Sequence, residues 1–396
     1  MRIVLFTGKG GVGKTTTSAA TAVQAAADGH RVLLMSADPA HSLAEALDSP
    51  LSDSPTAVAD RLDVVQVDPQ ARFEGAWAQV AGYLRDLVRR SGTDPLTAEE
   101  ITVVPGAEEL MVLLALDDYA GSDRWDAIVV DCAPTADTLR LLSLPDIVRW
   151  YAERMFPKHT RLFRAIRGNG ELPVPSTDVR AGMSALAGRL ERVAALLADQ
   201  ERTSVRLVTT PEHASVAEAR RTFTSLELYG YAVDEVVVNR LVPDDGDDPW
   251  RLAWARSQRA QLEAVQGSFT EQIVRQAAYR SSEPTGVTAL GELGAELYGE
   301  DDALAPGAAH SAWEVDRSPA DVPGGEEFHL LLRTAFAERG DIELARSADD
   351  LVVTVGGRRR YLALPSALRR CTVSGATFED RRLRITFSPD PRLWPR

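Results

Sequence analysis

Gly8, Lys9, Gly10, Gly11, Val12, Gly13, Lys14 and Thr15 spell G-x-x-x-x-G-K-[ST], with Thr16 directly after. Glycines let a backbone wrap closely around an anion, so that successive N–H groups and the first turn of a helix face phosphate oxygens. Lys14 supplies an ammonium for the β- and γ-phosphates, and the Thr15 hydroxyl is a hard oxygen ligand for Mg2+. Only three of the 44 basic side chains are lysine, at positions 9, 14 and 158, and two of them sit in this loop. A planar guanidinium does not replace a compact ammonium among phosphates, so the departure from arginine is chemical. Lys9 is not demanded by the general pattern. Taken alone, it reads as a solvated loop charge.

Such a loop works only between a strand and a helix. Apolar runs recur at "RIVLFT" (2–7), "RVLLMSAD" (31–38), "LDVVQVD" (62–68), "DAIVVD" (126–131), "SVRLVTT" (204–210) and "DEVVVNR" (234–240), with helical stretches between them. Continuous apolar strands joined by crossover helices require a sheet covered on both faces, so residues 1–300 read as a doubly wound, mostly parallel α/β domain. Helical insertions are expected at about 70–120 and 146–202, with an irregular stretch at 146–176. Residues 301–326 are rich in Pro, Ala, Gly and acid and read as a linker. Beyond them, 327–396 carries clustered β-formers between turn signals and reads as a small all-β sandwich.

Composition narrows the function. A net charge of −14 argues against general affinity for nucleic acid or anionic membrane. Two cysteines, Cys132 and Cys371, lie far apart, which fits a reducing compartment. The six histidines form no pair with metal-ligand spacing. No run approaches a membrane span and no leader precedes the loop, so the expectation is a cytoplasmic protein without a transmembrane segment. An isolated aspartate after a strand commonly caps a turn; behind a phosphate loop, Asp38 and Asp131 are read as water and metal residues.

"GKGGVGKTT" (8–16), "DPAHSLAEAL" (38–47), "IVVDCAPTADTLRLL" (128–142), "TTPEHASVAEARR" (209–221) and "VVVNRLVP" (236–243) occur in the order found in the arsenical pump-driving ATPases. The chain resembles this deviant Walker A family, which includes the ATPases that deliver tail-anchored membrane proteins. The resemblance implies ATP and Mg2+ as ligands and a homodimer closed over the nucleotide. It implies that Lys9 would reach the partner's phosphates, that Asp38 would orient or deprotonate the attacking water, and that Asp131 would hold Mg2+ through its water shell. Asn239 would read adenine and Glu212 would contact ribose across the dimer. Residues 327–388 resemble the small heat-shock-type sandwich appended to bacterial members.

Departures matter as well. The cysteines that bind arsenite, and the Cys-x-x-Cys zinc pair of the tail-anchored carriers, are missing, and only one phosphate loop occurs per chain. Ala136 and Asp137 stand where many members carry Gly-His. The expectation is a Mg-dependent ATPase, a nucleotide-driven homodimeric switch for a client or membrane-protein partner. The alternatives are an ATP-binding scaffold with negligible turnover and the energy-coupling subunit of an anion exporter.

Overall fold

The computed structural model describes residues 1–38, 42–69, 71–72, 107–144, 177–245, 247–307, 313–319, 326–347, 349–379, 381–390 and 393. Most of the first expected insertion, the irregular stretch and part of the "DPAHSLAEAL" segment lie outside the described residues. The first three-quarters of the chain runs β1 (Arg2–Thr7), α1 (Lys14–Ala27), β2 (Val32–Ser36), α2 (Ser42–Leu47), β3 (Thr56–Ala59), β4 (Leu62–Gln66), α3 (Ala107–Ala120) and β5 (Ala127–Asp131). It continues through α4 (Thr177–Ala198), β6 (Thr203–Thr209), α5 (His213–Tyr229), β7 (Val233–Leu241), α6 (Pro249–Ser268), β8 (Ile273–Ala278) and α7 (Gly286–Tyr298).

The strands form one sheet in the order β3-β4-β2-β5-β1-β6-β7-β8, parallel except for the β3 edge. β1 is buried at every position because both faces are covered. Ile3 and Leu5 pack under α3, α4, α5 and α6, while Val4 and Phe6 pack under α1, α2 and α7. Each such side chain contributes roughly 1.5–3 kcal/mol by leaving water. All six strands read from sequence are present within a residue or two. β3 and β8 are additions. Both are edge strands, and the half-exposed "TAVA" and "IVRQAA" carry no continuous apolar run.

The remaining strands are β9 (Trp313–Pro319), β10 (Glu326–Arg333), β11 (Ile342–Ser347), β12 (Asp350–Val355), β13 (Arg358–Ala363), β14 (Cys371–Glu379) and β15 (Arg382–Pro389). They build two antiparallel sheets, β14-β15-β10-β9 and β11-β12-β13, around Phe328, Leu330, Leu351, Val353, Ile385 and Phe387. The stretch read as a linker is therefore partly structured. Val315 pairs with Leu330 and Trp313 with Leu332, an alternation hidden by the acidic and proline-rich surroundings.

The β-sandwich rests on α5 and the end of α6. Phe336 meets Phe223 and Phe269 edge-on at centroid distances of 5.7 and 5.4 Å, and Glu227 accepts the Ala335 N–H at 2.9 Å. Arg333 pairs with Glu271 at 2.9 Å beside them.

Candidate nucleotide site

β1 stops at Thr7, and α1 opens at Lys14, with the glycine loop between them. Two glycines are sterically required. At Gly8, φ is +155° and a Cβ would stand 2.1 Å from the Val208 carbonyl oxygen of β6; at Gly13, φ is +95° and a Cβ would stand 2.2 Å from Asn239 Nδ2. The loop thus packs closely against β6 and β7 at its two ends, while Gly10 and Gly11 between them face open space. Lys14 is buried, and its Nζ reaches back to the Lys9 carbonyl at 3.5 Å.

The sheet gathers the other predicted residues at one edge. Asp38 follows β2, Asp131 closes β5, Glu212 follows β6, and Asn239 lies near the end of β7. These are the carboxyl ends of strands flanking β1, where the order of an open α/β sheet reverses and ligands bind.

Asp131 is the most informative of them. It is fully buried, and neither carboxylate oxygen has a hydrogen-bond partner. Burial pushes its carboxyl up to about 7, opposed by the Thr15 hydroxyl and the Lys14 ammonium. A buried carboxylate with two unsatisfied oxygens, next to a threonine hydroxyl, is a donor set for a hard divalent cation. The residues present therefore fit Mg2+. Thr15 Oγ1 lies 3.0 Å from Ser42 Oγ, so α2 adds a second hydroxyl that sequence reasoning missed within a segment it had singled out. Cys132 is not part of such a set. Burial pushes its thiol up, which keeps it protonated. Among the described residues, no group of three or more His, Cys, Asp or Glu side chains is arranged to hold a metal.

Asn239 is buried against the loop. Its Nδ2 donates to the Val12 carbonyl at 2.8 Å, and its Oδ1 accepts the Arg240 N–H at 2.9 Å. Lys9 and Glu212 are exposed, and Glu212 Oε2 accepts from Thr210 Oγ1 at 3.2 Å. The Asp38 N–H donates to Ser36 Oγ at 3.3 Å. Asp137, one of the departures, pairs with Arg140 at 3.6 Å. Sequence reasoning also missed Thr135, whose hydroxyl donates to Glu218 of α5 at 3.1 Å and ties the segment after Asp131 to that helix.

The family profile described as "Anion-transporting ATPase" matches residues 1–299, and a second, "HSP20-like domain found in ArsA", matches 325–387. The chain belongs to the ArsA ATPase family. Its glycine loop and buried Asp131 thus lie in an ArsA-type ATPase domain, and its sandwich is the HSP20-like module of that family. A Chlorobaculum tepidum protein with the provisional name arsenical pump-driving ATPase is 33% identical over 395 residues, covering 98% of this chain and 96% of its own. Protein Rv2184c of Mycobacterium tuberculosis is 35% identical over 424 residues, covering 100% and 97%. ATPase ASNA1 homolog 1 of Paramecium tetraurelia is 28% identical over 256 residues, covering 62% of this chain and 77% of its own. Among the described residues, no helix is long and apolar enough to cross a membrane.

Proposed function

We propose that this chain is a Mg2+-dependent ATP hydrolase that acts as a nucleotide-driven homodimeric switch for a client or partner protein in the cytoplasm. The observation that carries the reading is Asp131, buried with both oxygens unsatisfied behind a phosphate loop and beside Thr15. In the proposal, Thr15 and Asp131 hold Mg2+, Asp131 through the ion's water shell. The backbone from Gly8 to Thr16, with Lys14, holds the phosphates. When bound, the metal neutralises charge developing on the transferred phosphoryl group.

Asp38 orients or deprotonates the attacking water from the end of β2. Lys9 and Glu212 serve a neighbouring subunit's nucleotide, a role supported by their exposure beside the loop. Asn239 reads the adenine edge, a role supported by its position on Val12 and Gly13.

The test pairs turnover with oligomeric state. Wild type is expected to hydrolyse ATP in Mg2+ and to shift from monomer toward dimer in light scattering, while Asp38→Asn binds ATP, remains dimeric and loses turnover. Equal, near-zero rates in both proteins would replace the switch with the scaffold reading.

A further inference from the structure

Residues 239–245, the end of β7 and the strap beyond it, start with a bend: β7 bulges between Val238 and Leu241 where it pairs with β8. Arg240 sits at φ +61°, a left-handed conformation that non-glycine side chains rarely adopt. Left-handed backbone persists only where the surroundings over-determine it. Here the holding group is Gln258 of α6, itself buried. Its Oε1 accepts the Val242 N–H at 2.7 Å and its Nε2 donates to the Arg240 carbonyl at 3.3 Å, so one carboxamide closes both sides of the bend. The Leu241 carbonyl between them accepts the Tyr279 N–H at 2.7 Å. Further out, α6 tacks the strap again, through Arg251 to the Pro243 carbonyl at 3.0 Å and through Arg259 to Asp244. The helix is set in place for this by Asp248, whose side chain caps Trp250 and Arg251 N–H groups ahead of Pro249.

We infer that Gln258 is a positioning residue for base recognition. It holds the bend at Arg240–Val242, and the bend holds the Asn239 carboxamide on Val12. An asparagine amide selects adenine because its oxygen needs the N6 amino donor, which guanine replaces with an acceptor. Selection by such an amide depends on its orientation, so loosening the strap removes discrimination before it removes phosphate binding. The inference rests on the reading of Asn239 given above.

Calorimetry of Mg2+ with ATP, GTP and inorganic tripolyphosphate on wild type, Gln258→Met and Gln258→Glu tests it. Gln258→Met keeps the side-chain volume and loses both hydrogen bonds. It is expected to weaken ATP roughly tenfold while GTP and tripolyphosphate stay within about twofold. Gln258→Glu, which keeps the acceptor for Val242, is expected to fall between, and it serves alone should Gln258→Met not fold. Adding Arg240→Gly, which relieves the left-handed conformation, is expected to restore part of the ATP preference. An unchanged ATP-to-GTP ratio, or parallel weakening of all three ligands, overturns the role of Gln258. Failure of the wild type to bind ATP or tripolyphosphate would instead overturn the nucleotide reading itself.

Discussion

The same parallel sheet buries carboxylates at both of its edges, and it treats them in opposite ways. At the amino edge, Asp234 and Glu235 open β7 among three arginines. Arg2 of β1 lies 3.1 Å from Asp234, Arg206 of β6 lies 3.2 Å from Glu235, and Arg275 of β8 lies 2.9 Å from Glu235. Arg206 also donates to Tyr298 Oη at 2.9 Å and the Ala303 carbonyl at 2.8 Å, and it is wholly buried. Burial would lower its pKa, but Tyr298, Asp234 and Glu235 outweigh that and hold the guanidinium charged. At the carboxyl edge, Asp131 is equally buried, and neither oxygen has a partner at full hydrogen-bond geometry; the nearby Thr15 and Ser18 hydroxyls and the Lys14 ammonium offset only part of the cost of burial. A compensated acid is a strut; an uncompensated one marks the place where something else is expected to bind.

The largest expected difference comes from Asp131→Asn. Turnover of Mg·ATP is expected to fall on the order of a hundred- to a thousandfold, while tripolyphosphate still binds the loop. Stability of the metal-free chain is expected to move the other way. The Asp131 carboxyl is raised from an ordinary 3.8 to about 7. The wild type therefore has its full stability below about pH 4 and loses it as pH rises through 7, by about 4 kcal/mol at most. Asp131→Asn is expected to remove that slope, standing more stable than wild type at pH 8 and equal to it near pH 4. Urea unfolding in EDTA across this range reads the result. Parallel slopes in both proteins would show that the carboxyl is already satisfied.

Arg206→Met sharpens the contrast from the other edge. It leaves Asp234 and Glu235 short of a partner in a dry environment, which costs about 3–5 kcal/mol. ATP affinity, measured where the variant is folded, is expected to stay within about twofold. A loss below about 1 kcal/mol, or a nucleotide defect as large as the stability defect, would erase the distinction between strut and site.

Only the site half of this contrast was legible in sequence, for physical reasons that differ by element. The glycine loop, Asp38, Asp131 and Asn239 could be placed because each follows a continuous apolar strand, and a parallel sheet brings all such strand ends to one edge. β8 and β9 could not, since edge strands bury one face at most and carry polar residues on the other. Gln258 and Ser42 were invisible for another reason. Their partners, the Val242 N–H and the Thr15 hydroxyl, are 16 and 27 residues away, and no local pattern marks such a pair. The arginine network was equally hidden, because Arg2, Arg206 and Arg275 look like ordinary surface charges until register aligns them.

The seam between the ATPase domain and the sandwich is neither strut nor site: a cluster of aromatic rings meets there beside the Arg333–Glu271 ion pair and the Ala335 and Phe336 N–H groups, which donate to Glu227 and Thr224. Phe336 is half-buried between Phe223 and Phe269. Phe336→Ala is expected to cost about 2 kcal/mol, less than a full core truncation because part of the ring is already wet. Calorimetry is expected to show one unfolding transition separating into two, and a single unchanged transition would argue that the sandwich does not depend on this contact.

The smallest expected effect lies at Thr135, where the two kinds of region meet. Its hydroxyl links the segment leaving Asp131 to Glu218 of α5, and the far end of α5 carries Glu227 beneath the sandwich. Thr135→Val keeps the shape and removes one hydrogen bond to a carboxylate, a loss of about 1 kcal/mol. If metal at Asp131 alters the sandwich through this helix, ATP is expected to change amide exchange at residues 334–337 in wild type and to change it less in Thr135→Val, with Mg·ATP affinity within about twofold. An exchange response of equal size in both proteins would break the link. It would leave Asp131 as a purely local site, and α5 would be a rigid support for the sandwich with no part in relaying the nucleotide state.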